Sequence, residues 1–343
     1  MKKDLKLGKV NFSVLDLAII NEGRDAADAF QRSMDLAKHV EDMGYKRFWM
    51  AEHHNMPSVG SSATAVLLAH IGGGTKSIRI GSGGIMLPNH SPLMVAEQFG
   101  TLASLFPGRV DLGLGRAPGT DQETVRALRR NRLETLEEFP QDLEDLQMYL
   151  SPENIDGRVH AIPGEGLDIP IYLLGSSMSS AALAAKKGLP YAFASHFAPK
   201  QFLKAIAYYK ENFEPSDQLS KPYVISCVNV IAAQEDKEAH QLATSLYRLA
   251  LNGIRRLSFP LLPPVENMEG LWSNEEETAV RHMMACSFIG APSTVEHDLK
   301  AFQELAQVDE IMVTSHIYDH DARILSYQIL AEIIKRTKME LSQ

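Results

Sequence analysis

The sequence predicts an α/β fold in which eight strands close into a single (β/α)8 TIM barrel. Two observations carry this prediction. Short apolar runs alternate with longer segments of helical spacing, and eight such units fill residues 1–343 without a change in composition that would mark a linker. Such alternation gives a parallel sheet with helical crossovers. Eight units with no half-domain left over favour a closed barrel, which remains one domain at this length.

The predicted strands are short apolar runs between the helical segments. They cover residues 10–16, 47–51, 77–87, 109–115, 169–175, 191–195, 223–233 and 309–315. The predicted helices have apolar residues three and four positions apart, a spacing that places them on one face. They cover residues 27–43, 61–71, 92–105, 121–149, 178–187, 199–213, 235–251, 292–306 and 321–337.

Two segments are longer than ordinary loops. One spans residues 151–168, and the other spans 252–291 and contains the proline-rich run SFPLLPPVEN. Insertions of this length in a compact domain are usually lids or interface elements. We therefore expect both to be long loop insertions in the barrel.

The composition is that of an ordinary globular protein and excludes several classes. Hydrophobic residues make up 45% and charged residues 22% of the chain. No apolar run approaches the roughly 20 residues of a membrane helix, and MKKDLKLGKV lacks the apolar part of a secretory signal. A net charge of −9 argues against nonspecific nucleic-acid binding. Cys227 and Cys286 are predicted to be buried thiols in a reducing cytoplasm.

Two strand ends carry groups suited to an anion. The segment GSSMSS, residues 175–180, opens a helix, where free N–H groups and hydroxyls can donate to one ligand. Ser176, Ser177 and Ser180 are spaced to gather around it, although serines at this position can also simply cap the helix. Arg116 follows an adjacent strand within GLGRAPG. A guanidinium facing a serine-rich helix start suits a terminal phosphate, so the pair predicts phosphate binding.

Gly83 and Gly84 interrupt an otherwise apolar strand. Glycine weakens a strand interior, so the pair needs a reason. One interpretation is a bulge or a tight barrel corner. The other is a flat ligand lying against the bare backbone, which an unusual peptide geometry would serve. The residues alone leave both interpretations open.

The second strand delivers Glu52, His53 and His54 to the carboxyl end of the barrel, where active sites form. Adjacent strand residues point to opposite faces, so the two histidines cannot easily bind one ion, and no metal is predicted. A neutral imidazole that moves a proton near pH 7 fits better, with a buried core histidine as the alternative. Periodicity does not decide which of the two faces the ligand. His196 and His316 follow two other strands.

Five segments in this order resemble the bacterial luciferase-like flavin-dependent monooxygenases, and the resemblance is closest to their non-luminescent single-chain branch. The segments are AEHHN, IRIGSGGIMLPNHSPLMVAEQF, GRVDLGLGRAPGTD, GSSMSSAALAAKKGLPYAFASHF and DEIMVTSHIYDHDAR. The GLGR motif alone is weak, whereas the ordered set is specific. The resemblance covers essentially the whole chain.

The resemblance implies a (β/α)8 barrel and a reaction. Enzymes of this family use reduced FMN, usually supplied by a separate flavin reductase, and its reaction with O2 gives a C4a-hydroperoxide that oxygenates a small substrate. Such oxidoreductases act on paired donors with incorporation or reduction of molecular oxygen. The hydroperoxide needs a dry pocket, which makes the 252–291 insertion the candidate lid. A cytoplasmic homodimer, joined through helices of the first barrel half, is also implied.

The resemblance also implies roles for individual residues. Arg116 would hold the FMN phosphate, and His53 would be the catalytic histidine beside His54. Gly83 and Gly84 would form a non-proline cis peptide against the isoalloxazine ring. The remaining cofactor contacts would come from the next strand ends, namely Gly175, Ser176, Ser177, Ser180 and His196. One departure stands out. Luminescent enzymes carry a reactive cysteine where this chain has Gly115, which argues against light emission but not against flavin binding.

Three other functions are compatible with the same barrel. A deazaflavin-dependent dehydrogenase would transfer hydride without O2. A non-catalytic flavin-binding protein would hold the cofactor and form no product. A metal-dependent hydrolase is the least favoured, because the strand ends lack a set of carboxylates.

Overall fold

A computed structural model describes residues 6–117, 120–128, 135–154 and 157–341. Its strands in chain order are β1 (Asn11–Asp16), β2 (Arg47–Met50), β3 (Arg79–Ser82), β4 (Ile85–Met86), β5 (Val110–Gly115), β6 (Ile171–Gly175), β7 (Tyr191–Phe193), β8 (Val224–Ala232), β9 (Ser287–Gly290) and β10 (Glu310–Thr314). Its helices are α1 (Ala26–Asp42), α2 (Thr64–Gly74), α3 (Pro92–Leu105), α4 (Gln122–Leu128), α5 (Thr135–Leu150), α6 (Met178–Lys186), α7 (Phe202–Glu211), α8 (Asp236–Ile254), α9 (Asn274–Met283), α10 (Pro292–Ala306) and α11 (His320–Glu340).

The sheet closes on itself. Neighbouring strands follow the order β10-β1-β2-β3-β5-β6-β7-β8, and β8 pairs with β10 to complete the circle. Every pairing in this circle is parallel. The predicted closed (β/α)8 barrel is therefore confirmed, with helices packed outside it.

Two predicted elements are divided. The strand predicted at 77–87 is two short strands, because the chain leaves the ladder at Gly83 and Gly84. β3 pairs with the beginning of β5, and β4 pairs with its end. The helix predicted at 121–149 corresponds to α4 and α5, and residues 129–134 between them lie outside the described residues.

The 252–291 insertion is more ordered than a long loop. It contains α9 and a ninth sheet position, β9, which pairs with the second half of β8 from Asn229↔Ser287 to Ala232↔Gly290. The segment predicted as a long loop insertion therefore contains one helix and one strand. Strand β8 is long enough to pair with β10 through its first half and with β9 through its second half.

The barrel interior is filled by alternate residues of the strands. Leu15, Trp49, Tyr172, Ile225 and Met312 belong to one buried cluster inside the barrel. Their strand neighbours point outward and pack beneath the helices in the main core. This alternation follows from the two-residue period of a strand.

The amino-terminal end of the barrel is closed by paired charges. Buried Arg47 contacts Asp111 through Nη1 and Glu310 through Nε, each at 2.8 Å. The Tyr172 hydroxyl accepts from the same guanidinium, and the Tyr223 hydroxyl donates to Glu310 at 2.6 Å. Buried charges persist when each has its partners, so this cluster is a structural plug at the end opposite the predicted site.

Candidate active site

The two adjacent histidines after β2 have different surroundings. Trp49 and Ala51 belong to the interior cluster, and continued alternation gives His53 the same inward side. His53 is near enough to His196 that its charge lowers the pKa of that imidazole. His54 instead places Nε2 2.9 Å from Oε1 of Glu52. The two histidines therefore differ, because the charge of His53 acts on His196 whereas His54 is bonded to Glu52.

Glu52 is a buried carboxylate that gathers several donors. Nε2 of His54 and Nε2 of His90 approach its Oε1 at 2.9 and 2.8 Å, and the N–H of Met86 donates to Oε2 at 3.0 Å. Burial raises the pKa of Glu52, but the hydrogen bonds from His54 and His90 outweigh it and lower that pKa to about 2. The carboxylate is therefore ionised at neutral pH, so both ring nitrogens act as donors. It ties the loop after β2 to the chain that follows Gly83 and Gly84.

The peptide bond between Gly83 and Gly84 is cis, as the family resemblance implied. A Cβ atom at Gly83 would lie 2.5 Å from Cδ1 of Leu15, and one at Gly84 would lie 2.8 Å from the carbonyl oxygen of Gly113. Ser82 Oγ accepts from the N–H of Gly113 and donates to its carbonyl, which joins β3 to β5 where the ladder opens. The packing of the protein itself therefore requires glycine at both positions.

Arg116 meets the beginning of α6, as predicted, but through a different serine. Its Nη2 donates to Oγ of Ser179 at 2.8 Å, and Ser179 Oγ lies 3.0 Å from Oγ of Ser177. Ser177 is the N-cap of α6. The guanidinium, the two hydroxyls and the positive end of the helix together form a set of donors suited to a phosphate.

Ser180 has a structural position in the same turn. Its Oγ donates to the Ser177 carbonyl at 2.8 Å and lies 2.9 Å from the Tyr191 hydroxyl. A Cβ atom at Gly175 would lie 2.1 Å from this oxygen, which explains the glycine. Ser176 is half-buried beside them. Direct phosphate contacts from Ser176 and Ser180 stay predictions.

Gly115, the position at which this chain departs from the luminescent enzymes, lies against the side chain of Met86 on β4. A Cβ atom there would lie 2.6 Å from Sδ of Met86. Any side chain, including a cysteine, would have to displace that methionine. The two cysteines of the chain are free and buried, as predicted.

Two further histidines lie at the ends of β7 and β10. The rings of His196 and Phe197 meet edge-on, with their centroids 4.7 Å apart. Burial lowers the pKa of His196 to about 3, with added repulsion from His316 and His53. Burial also lowers the pKa of His316 to about 4, and Arg323 adds to this while Asp16 opposes it. Both imidazoles are neutral at pH 7.

His316 follows a predicted strand but is not among the residues that the sequence assigns to the site. Within the described residues, Nδ1 of His316 and Nδ1 of His196 are buried and have no hydrogen-bond partner. The pattern of strand-end histidines could have identified His316. Nothing in the sequence indicated that its Nδ1 would be unpaired.

The 252–291 insertion is attached to loops at the carboxyl end of the barrel. The N–H of Leu261 donates to the carbonyl of Ile20 at 2.9 Å, and the N–H of Glu22 donates to the carbonyl of Leu261 at 2.8 Å. Leu261 is buried together with Ile19 and Val59. The insertion therefore reaches the loops that follow β1 and β2, the position that a lid would need.

The described residues also bear on metal binding and on membrane-spanning helices. Across the described ranges, no group of three or more histidine, cysteine, aspartate or glutamate side chains is arranged to hold a metal ion. In the same part of the chain, every helix is too short or too polar to cross a bilayer.

This barrel and site define a class of protein. The sequence profile of the luciferase-like monooxygenases matches residues 10–307, and the chain belongs to that family. A luciferase-like monooxygenase of Escherichia coli K12 is 46% identical, over 94% of this chain and 97% of the relative. The N-acetyl-S-alkylcysteine monooxygenase of Bacillus subtilis is 30% identical, over 96% of this chain and 99% of the relative.

Solved structures show the same fold. Apo-MsnO8 superposes with a TM-score of 0.89 at 33% identity, covering 95% of this chain and 98% of its own. An oxygenating component of 3,6-diketocamphane monooxygenase in complex with FMN superposes with a TM-score of 0.70 at 16% identity, covering 96% of this chain and 98% of its own. An F420-dependent secondary alcohol dehydrogenase superposes with a TM-score of 0.69 at 14% identity, covering 96% of this chain and 99% of its own.

Proposed function

We propose that this protein is an FMN-dependent monooxygenase that uses reduced flavin and O2 to oxygenate a small organic substrate. One observation carries the proposal: a set of donors suited to a phosphate and the cis Gly83–Gly84 peptide lie at the ends of neighbouring strands at one end of the barrel. FMN has a terminal phosphate for the first and a flat ring that would lie against the second. Membership of the luciferase-like monooxygenase family supports the same function.

The residues present fit FMN. Arg116, Ser177 and Ser179 offer donors for a phosphate dianion. Gly83 and Gly84 form a cis peptide without side chains, against which a flat ring would lie. When bound, reduced FMN supplies the electrons that activate O2. A monooxygenase with this fold, at 16% identity, has been solved in complex with FMN.

Each protein group has a distinct task in this proposal. His53 holds or moves a proton at the mouth of the barrel. Glu52 fixes both the strand end beside His53 and the chain after the cis peptide, so it positions the site without contacting the substrate. The 252–291 insertion excludes water from the mouth.

Reaction with oxygen separates this function from its rivals. The protein should bind FMN and reduced FMN saturably and, supplied with reduced flavin by a separate reductase, transfer ¹⁸O from ¹⁸O2 to a small organic compound. Mass spectrometry of the products measures this transfer. Anaerobic hydride transfer with F420 would instead identify a deazaflavin dehydrogenase. Tight FMN binding with no labelled product from a broad set of compounds would identify a flavin carrier.

We also propose a homodimer joined through α2 and α3, in a cytoplasm that keeps both thiols reduced. α2 contains no Asp, Glu, Lys or Arg, and its outward Val66 is 69% exposed. On α3, the exposed positions include Met94 at 55% and Leu105 at 60%. Helices that are apolar on the solvent side usually have a partner. Sedimentation velocity should show a dimer that Val66→Glu dissociates and Leu305→Glu, on α10, does not; a wild-type monomer would contradict this interface.

A further inference from the structure

We infer that His196 and His316 form a hydrogen-bonding wall for the substrate, so that the site selects uncharged molecules with one small polar group and rejects carboxylates. The inference rests on the proposed function and names the substrate class of that same site. It concerns two residues at the ends of β7 and β10, the two strands that flank β8.

Three contacts place the two histidines at the same level of the barrel. Nδ2 of Asn229 donates to the carbonyl of His196 at 2.7 Å and to Oγ of Ser287 at 3.0 Å. Asn229 is in register with Thr314, the last residue of β10 and two residues before His316. The His196 backbone and the end of β10 are therefore held on either side of one asparagine. After burial, the charge of His316 is the next cause that lowers the pKa of His196, which agrees with this proximity.

The two imidazoles have unused hydrogen-bonding capacity. His316 is only 7% exposed, and, among the described residues, its Nδ1 and that of His196 are buried without a partner. A buried polar atom without a partner is unfavourable, so a bound ligand that pairs with it gains affinity. A neutral imidazole can present either a donor or an acceptor at Nδ1, according to its tautomer. This wall therefore accommodates an amide, carbonyl or hydroxyl group.

The same wall offers little to an anion. Both imidazoles are neutral at pH 7, because burial depresses their pKa values to about 3 and about 4. The guanidinium that influences His316 is that of Arg323, and its Nη2 already donates to Asp16 at 2.7 Å. Both members of this ion pair are buried. A carboxylate placed against these two neutral rings would lose its hydration, and the guanidinium of Arg323 is already engaged by Asp16.

Apolar residues of the interior cluster lie beneath this level. Cys227 is buried in the interior cluster, and burial raises the pKa of its thiol, which stays protonated. Leu17 and Leu174 pack on the same cluster and are half-buried. The site thus suits a molecule with an apolar body and one neutral polar group.

Three compounds of nearly equal shape test this selectivity. Benzamide has a neutral polar group, benzoate has the anion in its place, and isopropenylbenzene has neither. Isothermal titration calorimetry on the chain, with and without FMN, should show saturable benzamide binding at least about tenfold tighter than that of the other two. This readout requires no turnover.

Variants of the wall separate recognition from folding. His316→Leu or His196→Leu should remove the preference for benzamide, whereas His316→Asn, which keeps a polar group near the place of Nδ1, should retain most of it. His240→Leu changes an exposed histidine on α8 and should have no effect. Equal binding of benzamide and benzoate, or no saturable benzamide binding, would overturn the inference. Failure to bind FMN, with the benzamide preference intact, would overturn the proposed function instead.

Discussion

His53→Ala is expected to lower the rate of substrate oxygenation by about 10²- to 10⁴-fold, the usual contribution of a positioned acid or base, while FMN affinity changes by less than about twofold. In the proposed function His53 is the proton-transfer group, so its removal takes away that group and leaves the Arg116 cluster intact. Single-turnover formation of oxygenated product measures the rate, and a fluorescence titration measures the FMN affinity.

The matched control for this variant is His54→Gln. Glutamine can keep a donor toward Glu52, the partner of His54 in the structure. We expect it to retain most of the oxygenation rate. Undiminished turnover in His53→Ala would remove this residue from the catalytic machinery, and a large loss confined to His54→Gln would exchange the roles of the two histidines.

Arg116→Ala is expected to weaken FMN binding by about 10- to 100-fold, as befits the loss of charge-assisted hydrogen bonds to a phosphate. The FMN affinity of Arg116→Lys should lie between those of the wild type and Arg116→Ala, because an ammonium keeps the charge but not the fork of donors. Flavin fluorescence quenching measures the Kd. Arg126→Ala, on the exposed side of α4, is the charge-matched control and should bind as the wild type does.

Riboflavin gives this prediction its sharpest form. It has the ring of FMN without the phosphate, so its affinity should be the same in the wild type and in Arg116→Ala. If both flavins lost affinity to the same extent, Arg116 would support the mouth of the barrel and would not bind the phosphate.

The fold could be predicted because its cause is repeated along the chain. Alternation of strand and helix patterns recurs eight times, and closure follows from that count. The break of the third strand was less visible, since Ile85 and Met86 extend the apolar pattern past the glycines. β9 was missed for another reason. It is only four residues long and becomes a strand by pairing with the end of β8, a contact between distant parts of the sequence.

The site was predicted at the level of residue types and less well at the level of atoms. The serine run after β6 identified the phosphate donors, but the helical turn decides that Ser179 faces Arg116 while Ser180 bonds to Tyr191. The role of His54 depends on Glu52, whose second histidine partner, His90, is 38 residues away in the chain. Hydrogen bonds between loops of this kind depend on tertiary geometry, which periodicity does not contain.

The charged plug at the amino-terminal end has a consequence for how ligands would enter the barrel. Arg47, Asp111 and Glu310 occupy the amino-terminal end of the barrel with paired charges. Under the proposed function, cofactor and substrate would therefore both enter from the carboxyl end, and the order in which they enter and leave would contribute to the rate of turnover.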